Sequence, residues 1–296
     1  MRNSKRQSRT RCSLVVLLAL IGSPTMGSDQ PVADQPVANR AATHPLHDLR
    51  EYAISKHELV KKTVRDYSCQ IVKRERIDGK LQPHQFMLAK VRSAGIKRPF
   101  AVHLTYQGPK RVRGRTVEFV SGENNEGMLV RLRPRGVTLR VDLDNPVAMK
   151  ESSIPITALS FEAMLGAVIE ALDRDIAADP TGANTQIKRI KDVKINGRPS
   201  TAIRIIHPKQ ADELEFHIAG MFIDNEFQIP TRFEIFSWPT EKGGKPVLAA
   251  EFTYVDLKVN EGLPNSIFHV LSLPKKSSES SESAKTARSQ DDREVQ

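Results

Sequence analysis

Few residues in this chain are equipped for covalent chemistry. Its two cysteines are Cys12 and Cys69, and its eight histidines are scattered. A nucleophilic cysteine needs a site that favours the thiolate and a base beside it. Cys69 lies in "SCQIVKRERIDGKLQPHQFMLAKV", residues 68–91, which reads as two strands around a polar turn. By strand parity it shares a face with Ile71, opposite Gln70 and Val72. A small, weakly polar side chain in that place is read as core filling rather than as a nucleophile. Glu215 and His217 stand at i, i+2, so one strand face would carry two metal ligands. No third ligand follows, and a solvated face is the better reading. "DLDNP" at 142–146 has the start of a calcium loop, but Val147 replaces the turn glycine and Ser153 the closing glutamate. G-x-S-x-G, H-E-x-x-H, P-loop and G-x-G-x-x-G patterns are missing. No catalytic residue, metal ligand or cofactor is therefore assigned, and a hydrolase with a polar cleft of perturbed carboxylates ranks last among the readings.

The elements that would position a site are mostly strands. A first helix is expected over "PLHDLREYAISKHELVKKTVRDY", where Leu46, Leu49, Ala53, Val60, Val64 and Tyr67 recur at helical spacing. Residues 68–77 and 86–91 then form strands around "DGK". "FAVHLTY" sets Phe100, Val102, Leu104 and Tyr106 on one face, and "GVTLRVDL" alternates strictly. A second helix, "SFEAMLGAVIEALDRDI", carries Phe161, Leu165, Val168, Ile169, Leu172 and Ile176 on one stripe, with Ser160 as its N-cap and "DPTG" ending it. Strands resume around "NGRP", a hairpin signal, and continue through "ELEFHIAGMFID", "TRFEIFSW" and "LAAEFTYVDLKV". About ten strands and two main helices predict an α+β fold. Its large curved antiparallel sheet has one face covered by the helices.

Charge and termini bound the setting. Arg2, Lys5, Arg6, Arg9 and Arg11 precede the apolar run "SLVVLLALI", and small residues follow it. This reads as a secretory signal over residues 1–27, cleaved after Gly27, because the run is shorter than the roughly 20 residues of a membrane span. Cys12 precedes the apolar run, whereas a lipoprotein cysteine would follow it. The leader holds five basic and no acidic residues, so the formal charge falls from +10 to +5 without it. That balance suits an anionic surface, and no motif supports nucleic acid. A single remaining cysteine cannot form an internal disulfide, so burial must hold the fold together. Residues 28–45 read as a disordered linker, 46–270 as a single domain, and 271–296 as a disordered polar tail.

Basic residues cluster in "KRVRGR" (110–115), "RLRPR" (131–135) and "KRIKDVK" (188–194). The plain reading is a solvated outer face of the sheet; the functional one is a patch for anionic headgroups or a partner protein.

"IDNEFQIPTRFEIFSWP" followed by "KPVLAAEFTYVDLKVNEGLPNSIF" resembles the closing section of LolA-like proteins, and "VRDYSCQIVKRERIDGKL" resembles their opening section. The likeness is strongest to a domain-of-unknown-function family of exported bacterial proteins grouped with the LolA- and LppX-like fold. That resemblance implies a half-open antiparallel barrel whose apolar cavity holds the acyl chain of a lipid or lipoprotein. It implies a carrier in the periplasm or cell envelope, with transient membrane contact, rather than an enzyme. Large residues on the strands, Phe100, Val102, Leu104, Phe216, Phe233, Phe252 and Tyr254, are the candidates for such a cavity. The same residues filling a dry core would leave a structural or interaction protein of the envelope, working through a basic outer surface.

Overall fold

The computed structural model describes residues 43–146, 152 and 154–274. The expected leader, most of the linker, the tail beyond residue 274, and Val147 and Ser153 lie outside them.

Among the described residues two α-helices and twelve strands make an α+β fold. Helix α1 (Leu46–Thr63) buries Leu46, Leu49, Ala53 and Val60 along one stripe and carries Lys61 and Lys62 in its last turn. The apolar period continues through Val64 and Tyr67, but the helix does not. Val64 is the extended C-cap, and Tyr67 belongs to β1 (Asp66–Ile77). Pairing explains the switch. From Asp66 onward, β1 is hydrogen-bonded to β3 (Gln85–Arg92) on one side and to β12 (Val247–Val259) on the other. A two-sided ladder satisfies the backbone as fully as a helix does, and it buries Tyr67, Cys69 and Ile71 together.

The two-residue β2 (Lys80–Leu81) folds back on β1 through Asp78 and Gly79, both at positive φ, as the tight hairpin turn requires. The remaining strands are β4 (Ala101–Gly108), β5 (Thr116–Val120), β6 (Met128–Arg131), β7 (Thr138–Val141), β8 (Gln186–Ile195), β9 (Arg198–Ile206), β10 (Ile218–Asp224) and β11 (Pro230–Ser237). The sheet runs β7-β6-β5-β4-β3-β1-β12-β11-β10-β9-β8, with every pairing antiparallel. It is two meanders joined at one seam. Hairpins link β3 to β7 and β8 to β12, and β1 pairs with the first strand of one and the last strand of the other. The edges β7 and β8 do not meet, so the curved sheet stays open. Asn196 and Gly197, both at positive φ, make the β8–β9 turn that "NGRP" predicts. "ELEFHIAGMFID" pairs only from Ile218; Leu214 and Phe216 are buried in an irregular loop.

Helix α2 (Phe161–Ala178) starts at Ser160, whose hydroxyl accepts from the Ala163 amide at 3.0 Å. Both helices lie on the same face. Phe161 and Leu165 pack with Val60, Tyr67, Cys69, Ile71 and Tyr254. Leu172 packs with Leu46, Leu49 and Ala53 over Ile203, Ile205, Met221 and Ile223. Arg50 of α1 ties the pair by donating to both carboxylate oxygens of Asp173, at 2.5 and 3.3 Å.

The other face of the sheet is partly strapped by residues 263–271. Phe268 is fully buried on Ala101 and Val120, with the Arg92 guanidinium 4.8 Å from its ring centre. Buried Glu118 accepts from the Val270 and Leu271 amides (3.1 and 2.8 Å) and faces His103 Nδ1 at 2.8 Å.

Candidate functional site

An eleven-strand path is about 48 Å wide at the usual strand spacing. An 18-residue helix is about 27 Å long and about 10 Å across, so two of them cannot cover that width. The helices lie over the seam and the β9–β10 side. Helix α2 reaches parts of β3 and β4; among the described residues the rest of the face from β3 to β7 is covered by the segment after β7, and there a cavity of about 370 Å³ remains. No residue of α1 or α2 lines it.

Strand alternation builds its floor. Ile71 and Lys73 come from β1, Met87 from β3, Leu104 and Tyr106 from β4, Val117 from β5, Met128 and Val130 from β6, and Val141 from β7. Phe252 closes the β12 side, and Ile154, Pro155, Ile156 and Leu159 form the roof. The roof is pinned where the Tyr67 hydroxyl donates to the Leu159 carbonyl. The walls are mainly aliphatic, thioether and aromatic, with Asn145, Ser152 and two cations among them. Lys73 Nζ is buried and lies 2.7 Å from Glu75 Oε2. Arg115 stands 5.4 Å from the Tyr106 ring centre. The size falls at the lower end of the roughly 300–1,000 Å³ of small-molecule sites, and so does the mix of apolar wall with a few fixed polar groups.

The sequence candidates separate. Leu104 and Phe252 line the cavity. Val102 and Tyr254 are buried beside it under α2, Tyr254 with its ring centre 5.6 Å from Phe161 and 6.4 Å from Tyr67. Phe100 packs on the edge of this core, 6.0 Å from Phe119. Phe216 belongs to the second core under α1, and Phe233 packs against both. Sequence reasoning missed Lys73 and the roof. Parity in β1, which points Cys69, Ile71 and Lys73 the same way, was the available signal for Lys73; nothing in "SSIPITAL" marks a roof.

Cys69 and the network around His207 are enclosed. Cys69 is buried in the main core, and burial pushes its thiol far above the ordinary range. Thr185, His207 and Asp175 form a hydroxyl–imidazole–carboxylate line with 3.4 Å at each step. His207 is wholly buried, however, and the Thr185 hydroxyl donates to Asp179 Oδ2 at 2.8 Å. Asp179 also takes the Asn184 amide. Burial alone would raise the Asp179 pKa, but these hydrogen bonds outweigh it and hold the carboxyl below its usual range. The line is a structural network joining the end of α2 to β9, without room for a substrate. Glu215 faces Arg174 at 3.5 Å, and His217 Nδ1 faces the His207 carbonyl at 2.8 Å. Among the described residues no three His, Cys, Asp or Glu side chains come together as a metal site. Arg131 ends β6, and Arg133 lies in the turn that follows it.

Among the described residues no helix is long and apolar enough to cross a membrane. The chain has no match among curated proteins. Solved structures similar to it include a putative outer membrane lipoprotein-sorting protein domain from Vibrio parahaemolyticus, 15% identical over 74% of this chain and 95% of that one, with a TM-score of 0.36. A LolA superfamily protein from Nitrosomonas europaea is 10% identical over 74% and 96%, with a TM-score of 0.30. LprF from Mycobacterium bovis is 11% identical over 77% and 96%, with a TM-score of 0.35. The model of a family described as "Protein of unknown function (DUF1571)" matches residues 64–276, which takes in all twelve strands and α2, and the chain belongs to that family.

Proposed function

We propose that this chain is an exported envelope protein that binds the acyl chain of a lipid or lipoprotein in the cavity under β3 to β7, and that it does so without catalysis. The cavity itself carries the reading. Its floor and roof are mainly apolar, and it remains beside a core that the helices fill. An acyl chain is the ligand such walls favour, because each buried methylene contributes about 0.8 kcal/mol and no polar partner is needed along its length. Lys73 and Arg115 supply fixed polar positions at which a head or linkage group would stop. The leader-like residues 1–27 support export, to a periplasm or cell envelope.

The test is displacement of a fluorescent fatty acid, with Val130→Trp as the blocking variant. Val130 is on the floor and nearly buried, so an indole there occupies the cavity. Saturable uptake that Val130→Trp lowers at least tenfold, with unfolding still cooperative, supports the proposal. No uptake by the parent chain would instead favour a protein that works through its surface.

A further inference from the structure

The turns that join β4 to β5 and β6 to β7 lie side by side at one end of the sheet. Gly114 and Pro134 lock them together: Gly114 is at φ +82°, and a Cβ on it would stand 2.7 Å from Pro134 Cδ. The joined turns expose Lys110, Arg111, Arg113, Arg133 and Arg135. No Asp or Glu occurs in residues 109–117 or 128–141. The next turn along, at β1–β2, sets Asp78 against Lys80. Among the cations stand exposed aliphatic side chains, Leu132 at 52% and Val137 at 67%. Leu132 also lines the cavity, as does Arg115 of the first turn, so the cavity reaches this end of the sheet.

We infer that these paired turns dock the protein on an anionic lipid bilayer. Clustered cations are attracted by a negative leaflet within a Debye length of it. Aliphatic tips between them would sit at the headgroup–acyl boundary, an environment that an acidic protein surface does not offer. The basic stretch 188–194 lies on edge strand β8, which a bulge at Asp192 interrupts, and it contributes no residue to the cavity. Charge there is the usual protection of an exposed edge. The inference extends the cavity reading but does not depend on it, since a docking face needs no bound ligand.

Vesicle sedimentation tests it, using the chain in its exported form with phosphatidylglycerol-containing and pure phosphatidylcholine vesicles. Binding is expected only to the anionic vesicles and falls with salt. The combined variant Arg111→Gln, Arg113→Gln, Arg133→Gln, Arg135→Gln should lose affinity by about fivefold per charge, several hundredfold in all. Val137→Ser weakens binding to a smaller degree. The charge-matched control Lys188→Gln, Arg189→Gln, Lys191→Gln, Lys194→Gln retains binding. Equal loss in both combined variants, no binding to anionic vesicles, or binding to soluble polyglutamate but not to vesicles would overturn the inference. Fatty-acid uptake measured on the same variants keeps the two readings apart, because the turn variant should still take up ligand.

Discussion

Replacing Lys73 by methionine removes one half of a buried ion pair. The Lys73 and Glu75 side chains are each 5% exposed, and their charged atoms are 2.7 Å apart on the inward face of β1. Breaking such a buried pair costs about 3–5 kcal/mol. Methionine keeps the apolar stem beside Phe252, its register partner on β12, and beside Met87, so the lower end applies, about 3 kcal/mol. With a urea slope of about 3 kcal/mol/M for a domain of this size, the midpoint falls by about 1 M. Trp238, the one tryptophan, reports the transition. The companion Lys73→Met/Glu75→Leu removes both charges and should lose less than the single variant, because replacing a whole buried pair costs less than breaking it. A loss under about 1 kcal/mol for the single variant, or an equal loss for the double, would refute the burial assigned to this pair.

Other outcomes follow from the same contacts. Cys69 should react slowly with a disulfide reagent in the native chain and rapidly in urea, because burial both hides the thiol and raises its pKa. Phe268→Ala should cost about 3–4 kcal/mol and loosen the strap, read as lost hydrogen-exchange protection at Val270 and Leu271. Hydrogen bonds to the Asn265 carbonyl and then to Glu123, with Glu118 nearby, raise the His269 pKa above 6.5. Its contribution is therefore complete below about pH 6.5 and is lost as pH rises through the higher folded value. Strap protection should decline across that window in the parent and stay flat in His269→Gln.

Much of the fold could be read from the chain because its signals were local. The alternation of β4 and β12, the Ser160 cap and the Asn-Gly turn each act within a few residues. The end of α1 was not legible. Val64 and Tyr67 continue the helical stripe, and only partners distant in sequence, such as Val259 across from Tyr67, draw them into the sheet. Leu214 and Phe216 alternate like strand residues but are buried by loop packing. The cavity was the hardest feature to read. Leu104 and Val102 sit on the same strand with the same parity, yet only Leu104 faces the open space. An apolar strand face looks alike under a helix and under a void. What separates the two is where a pair of 18-residue helices comes to rest on a sheet too wide for them.

The most direct measurement is native mass spectrometry of the chain isolated gently from its native cells, followed by organic extraction. A stoichiometric added mass that extraction releases as an acyl-bearing molecule is the predicted result. A bare polypeptide mass, together with no uptake of added fatty acid, would contradict the acyl-binding cavity.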